Sequence, residues 1–136
     1  MLASMVLGAD GVQVGTRFAA SEESSAHISF KEMIIKATDG DTMLSLKKLM
    51  PVRLLKNDFF YKINNLESAG ESTERLQTLV GAGRTKKGIF EGDLNEGELE
   101  IGQVCALVNK IEPAKEILLN IWQDYLIEYK KLINLA

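Results

Sequence analysis

The stretch GADGVQVGTRF, Gly8 to Phe18, holds the densest chemical signal in the sequence. A brief apolar run, Val12 to Val14, ends in Gly15 and Thr16 and leads into what the pattern predicts as a short helix from Arg17 to Ala20. At such a junction unpaired backbone N–H groups and the positive end of a helix dipole converge, and phosphate is the usual guest. Glycine at 15 lets the backbone approach an anion with no Cβ in the way, and the Thr16 hydroxyl adds a donor. The same residues also read as a tight turn, with glycine for sterics and threonine as an ordinary helix cap. The local pattern leaves both readings open.

Other reactive residue types read as structural. His27 follows a serine pair and has no Cys, Asp or second His at ligand spacing, which suits a surface or capping histidine. Cys105 lies in GQVCALV, an apolar helical stretch where a cysteine serves as a small hydrophobe. DLNEGELE at 93–100 fails as a calcium loop, which would need a ligand at Gly97, glycine at Glu98 and glutamate at Val104. GAGRTKKG at 81–88 lacks the order of a P-loop and reads as a solvated basic turn.

The elements that must position these residues follow from spacing. Residues 1–7 read as the end of a helix with Gly8 just past it, Val12 to Val14 as a strand, and Thr16 as the cap of the next helix. Helix, strand and helix in close succession predict an α/β layer with parallel strands. Ser24 or Ser25 should cap a helix from about Ala26 to Ala37, stopped by DGD at 39–41. TMLSL and PVRLL read as extended segments around a turn at Lys47 to Pro51. Beyond Asn57 the chain reads as helical, with breaks at 68–72, 81–84 and 91–98. A last helix from Pro113 to about Leu135 gathers Ile117, Leu118, Ile121, Trp122, Tyr125, Tyr129, Leu132 and Ile133 on a broad core- or partner-facing side.

Composition narrows the function classes. The 136 residues are 46% apolar, with 16 basic and 19 acidic side chains dispersed along the chain. The net charge of −3 and the lack of a basic cluster argue against nucleic acid or an anionic membrane as partner. One cysteine and one histidine supply neither a disulfide nor a metal site of usual spacing, so no metal is expected. The first seven residues lack a basic lead, no apolar run approaches ~20 residues, and the expectation is a soluble cytoplasmic protein.

Taken in order, LGADGVQVGTRF, EESSAHISFKE, GDTML, PVRLLKN, KKGIFEGDLNEGELEIGQV and the closing amphipathic helix resemble the C-terminal part of nitronate monooxygenases, also called 2-nitropropane dioxygenases. Flavin-dependent enoyl-acyl-carrier-protein reductases share that superfamily. The resemblance covers essentially all 136 residues. It implies an α/β chain, the C-terminal portion of an FMN-binding (β/α)8 TIM barrel with a mostly helical accessory region. Residues 1–56 would supply the last barrel strand and the following α/β segment. Residues 57–136 would supply the helical accessory region, which covers the barrel mouth, and the final helix. Gln13, Val14, Gly15 and Thr16 match the family's FMN-binding segment. Glu100 to Gln103 match a MAGQ-like stretch, but Glu100 and Ile101 replace the commoner Met and Ala, so no substrate role is assigned there.

A complete barrel takes roughly 250 residues. The resemblance therefore implies that the catalytic histidine, which His27 does not match, and the rest of the barrel lie in an N-terminal portion. The expected activity is oxidation of alkyl nitronates with oxygen, and the chain alone should be inactive. Two alternatives stand beside it: the C-terminal part of a flavin-dependent enoyl-acyl-carrier-protein reductase, and a non-enzymatic helical module that binds a partner through the last helix.

Overall fold

The computed structural model describes residues 1–134, so the expected end of the last helix at Leu135 lies outside them. The elements are α1 (Leu2–Val6), α2 (Thr16–Ala19), α3 (Ile28–Lys36), β1 (Thr42–Ser45), β2 (Val52–Leu55), α4 (Asp58–Ser68), α5 (Thr73–Val80) and α6 (Ala114–Ile133). A wide π-type turn at Lys86–Phe90 and a 3-10 turn at Gln103–Leu107 link α5 to α6.

The start of the chain departs from the sequence expectation. Val12 to Val14 form no strand: residues 11–15 are exposed, and no neighbouring strand is present to pair with them. A strand without a ladder partner leaves its N–H and C=O groups to water, so extended character alone does not make a sheet. Among the described residues the expected parallel layer is therefore absent, and the one sheet pairs β1 with β2 antiparallel. Thr16 does not cap α2 either, because Gly15 occupies the cap position and no side-chain cap bond forms. His27, in place of Ser24 or Ser25, caps α3, its Nδ1 accepting from the Ser29 N–H at 3.2 Å.

The two expected extended segments do form a hairpin, in the register Thr42 to Leu55 through Ser45 to Val52. The Glu67 carboxylate of α4 accepts from the N–H groups of Leu46 (2.9 Å) and Lys47 (2.8 Å), which pins the hairpin loop. A third extended segment, Leu99 to Ile101, runs along β2: the Leu55 N–H donates to Leu99 O and the Ile101 N–H to Arg53 O. Alternation sends Leu55 to one face of β2, where Leu99 and Ile101 join it in one core, and Leu54 to the other, where a separate core buries it.

Asn57 joins the hairpin to the second half. Its Oδ1 caps α4 by accepting from Phe60 N–H at 2.8 Å, while its Nδ2 donates to Leu94 O (2.8 Å) and Gly97 O (2.9 Å). The cap and the 94–97 turn are thus fixed by one amide, at a position where loss of buried partners costs more than a surface bond. Phe59, Phe60 and Ile63 of α4 then pack on Leu46 and Leu54, forming one core. A second core unites Phe30 and Ile34 of α3 with Leu55, Leu99, Ile101, Cys105 and Val108, drawing on both halves of the chain. Each fully buried large side chain contributes about 1.5–3 kcal/mol relative to exposure.

Gly97 crosses directly over Gly88. A Cβ on Gly97 would stand 2.2 Å from Gly88 Cα and 2.4 Å from Asp93 O. Asp93 closes the same turn: its Oδ1 accepts from Glu96 N–H (2.9 Å) and Asn95 N–H (3.0 Å), and its Oδ2 pairs with Lys87 at 3.0 Å. These contacts, the Glu96 N–H first, lower the Asp93 carboxyl from 3.8 to about 2.

Two outcomes are expected. Gly97→Ala should lower unfolding free energy by at least about 2 kcal/mol in urea titrations, because the crossing has no room to relax. Gly15→Ala, with nothing within 4 Å of its Cβ position, should stay within about 0.5 kcal/mol of the parent. The second concerns pH. Because the folded carboxyl is depressed, the stability it contributes is present above about 3.8 and is lost as pH falls towards about 2. Denaturation midpoints of the parent and Asp93→Asn should converge across that window; parallel curves would show that the contacts contribute nothing.

Candidate functional site

A cleft of about 560 Å³ opens where three separate segments meet: Gly15, Thr16 and Ala19; Pro51, Val52 and Arg53; and Glu100, Ile101 and Gly102. Pairing with β2 brings the third segment alongside the second, through the Ile101 N–H to Arg53 O bond at 3.1 Å and the Leu54–Glu100 bridge. The first segment is held from the other side. Arg17 forms an ion pair with the buried Glu112 and donates through Nη1 to Lys110 O at 3.1 Å. The Glu22 N–H donates to Glu112 O, also at 3.1 Å. Gly102 completes the closure, since a Cβ there would lie 2.7 Å from Thr16 Oγ1.

Of the four residues expected to hold a cofactor, the structure brings Gly15 and Thr16 into the cleft lining, while Gln13 and Val14 lead into it as exposed extended chain. Among the described residues the N–H groups of Gln13, Val14, Gly15 and Thr16 make no hydrogen bond. A Cβ at Gly15 would meet only open space, so its own fold does not require glycine there. Free donors, an open glycine and a guanidinium across the cleft form a donor set that suits an anionic oxygen-rich group such as phosphate.

Two lining residues had escaped assignment. Arg53 lies between the half-buried Val52 and the buried Leu54, and what it faces emerges only from the pairing. Its Nη1 donates to Thr42 Oγ1 at 3.2 Å. Glu100, left without a role at the sequence level, stands in the cleft wall with Oε1 accepting from the Thr85 hydroxyl at 3.0 Å.

The remaining reactive types settle as follows. The His27 ring packs against Gly92, where a Cβ would be 2.3 Å from Nδ1. Cys105 is fully buried, and burial pushes its thiol above the ordinary range, away from nucleophilic use. The 81–88 turn is not simply solvated. Arg84 donates to Leu79 O, Val80 O and Glu96, and its guanidinium lies 4.8 Å from the Phe59 ring centre. Lys86 and Lys87 of the same turn pair with Glu91 and Asp93. Their charge is spent on folding, with local acids already present in the next turn of sequence. No helix among the described residues is long and apolar enough to cross a membrane.

The chain resembles known proteins along its whole length. A probable nitronate monooxygenase of Staphylococcus saprophyticus is 40% identical over 68 residues, 49% of this chain and 19% of that protein. A Rhodococcus jostii protein, (3aS,4S,5R,7aS)-5-hydroxy-7a-methyl-1-oxo-octahydro-1H-indene-4-carboxyl-CoA dehydrogenase, is 27% identical across 91% of this chain and 46% of its own length. The solved structure of FabK from Thermotoga maritima matches with a TM-score of 0.89 and 34% identity, over 99% of this chain and 43% of that one. A mutant of the same FabK gives 0.84 and 33%, over 100% of this chain and 41% of that one. The chain thus spans less than half the length of these relatives. The family model for nitronate monooxygenase matches residues 1–124, and the chain belongs to the nitronate monooxygenase family.

Proposed function

We infer that the chain forms part of a flavin-dependent oxidoreductase, an FMN-dependent nitronate monooxygenase, and supplies one wall of its flavin phosphate site. The observation that carries this reading is the convergence of the free N–H groups at Gln13 to Thr16 with Arg53 and Gly102 around one cleft. In this reading those N–H groups and the Arg53 guanidinium hold the phosphate, Gly15 and Gly102 keep side chains out of its way, and Thr16 adds a hydroxyl. The Arg17–Glu112 pair keeps the N–H groups aimed. When bound, FMN supplies the electron-acceptor chemistry by which an alkyl nitronate is oxidised with oxygen.

Because the chain spans less than half of its relatives, the rest of a (β/α)8 barrel, with the catalytic histidine, belongs to a complementing N-terminal portion. The long likeness to FabK supports a second reading, the enoyl-acyl-carrier-protein reductase of the same superfamily. The two share the phosphate wall and differ in substrate and in the source of electrons.

Titrating the 15N-labelled chain with FMN should shift the amide signals of Gln13 to Thr16, Arg53 and Gly102, with weak affinity. Riboflavin, which lacks the phosphate, should leave them in place. Gly15→Asp, which the open space at that position accommodates, should weaken FMN binding at least about tenfold by setting a carboxylate against the phosphate. Shifts elsewhere, or equal shifts with riboflavin, overturn the phosphate-wall assignment. For turnover, the chain joined to the N-terminal portion of a family member should consume nitronate faster than it reduces a crotonyl thioester with a nicotinamide. The reverse ranking selects the reductase, and nitronate turnover by the chain alone overturns the need for a complement.

A further inference from the structure

Behind the cleft wall, one hydroxyl serves two carboxyl groups. Thr85 Oγ1 lies 3.2 Å from Glu98 Oε2 and 3.0 Å from Glu100 Oε1. The extended run Glu98-Leu99-Glu100 turns both acids to the same side, and the Glu98 N–H, donating to Arg84 O at 3.0 Å, holds Thr85 beside them. A threonine hydroxyl carries a single proton. Two full hydrogen bonds therefore need a second proton, brought by one of the carboxyls; otherwise the two acids share one proton in a weaker three-centre contact.

Burial says which one. Glu98 is 6% exposed, whereas Glu100 stands half-buried at the cleft. Among the described residues no lysine or arginine forms an ion pair with either acid. Arg84, one residue before Thr85, is committed to Glu96 and to the end of α5. Lys86 and Lys87 are committed to Glu91 and Asp93, and on β2 the Arg53 Nη1 donates to Thr42 and to neither acid. Burial, and after it the negative charge of Glu100, raise the Glu98 carboxyl above its ordinary value, outweighing the lowering by the Thr85 hydroxyl and the Arg84 charge.

We propose that Glu98 is a protonated positioning residue that donates to Thr85, whose hydroxyl donates in turn to the Glu100 carboxylate in the cleft wall. The chain fixes Glu100 as an oriented acceptor for an N–H or O–H of a cleft occupant, and the carboxylate takes no part in holding a phosphate. It also stores one proton a single hydroxyl away from that space. That the occupant is a flavin or its substrate rests on the reading above; the proton chain itself does not.

The test is a pH titration of the 136-residue chain carrying 13C-labelled glutamate side chains, followed at the Glu98 carboxyl carbon. The Glu98 midpoint should lie above the ordinary glutamate range. Glu100→Gln should lower it by at least about 0.5 pH unit, about threefold in proton affinity. Thr85→Val should lower it too, because the neutral acid loses its acceptor, and Thr85→Ser should restore it. A rise in Thr85→Val would mean that the hydroxyl donates to an ionised Glu98, and would overturn the proposal. So would a Glu98 midpoint in the ordinary range, or one unmoved by Glu100→Gln, the variant that decides the matter if Thr85→Val does not fold. None of these readings needs a flavin, so failure of the phosphate-wall assignment shows separately, in the FMN titration.

Discussion

The backbone crossing of Gly97 over Gly88 sets the course of the second half of the chain. Neither position tolerates a Cβ: at Gly88 it would sit 2.7 Å from the Leu99 side chain and 2.9 Å from Glu98 O. With the two strands of backbone this close, Glu98 falls beside Thr85 and the next residues are delivered along β2. From there Leu99 and Ile101 drop into the core, and Gly102 meets Thr16. The cleft is therefore a downstream consequence of a steric contact some distance from it, made by residues that carry no chemistry.

Polar groups are distributed to serve the same geometry. Asn57, Glu67 and Asp93 each satisfy backbone groups from two directions, and each joins a helix or turn to a segment remote in sequence or to its own tight turn. Arg84 does so with a cation, spanning the end of α5 and the 93–97 turn above an aromatic ring. By contrast the N–H groups at 13–16 are left to solvent, although adjacent elements are well satisfied.

Much of the fold was legible because it rests on local chemistry. Pro51 and the flanking apolar runs mark the hairpin, Asn57 marks the start of α4, and the glycines at 81 and 83, both with positive φ, mark the end of α5. At Val12–Val14 the extended character is local, but a strand exists only through a partner, and the described residues offer none there. Within the cleft, Gly15 and Thr16 were legible through the shape of a glycine–threonine turn. Arg53 and Glu100 were not, since their place in the cleft wall depends on the pairing of residue 101 with residue 53, and no spacing rule reports a pairing between segments that far apart. The resemblance to the family supplied order where periodicity supplied only elements, yet it passed over Glu100 because that residue departs from the family pattern.

Along α6, Ile117 is the buried residue among those described, and Trp122, Tyr125 and Tyr129 stack face to face along the exposed side at 5.1 and 5.9 Å. Trp122 is the chain's single tryptophan and is 49% exposed. Its emission therefore reports the polarity over α6 and is nearly blind to both hydrophobic cores. The chain carries a built-in optical label on an open apolar face, and a blue shift without any change in secondary structure would mark that face being covered.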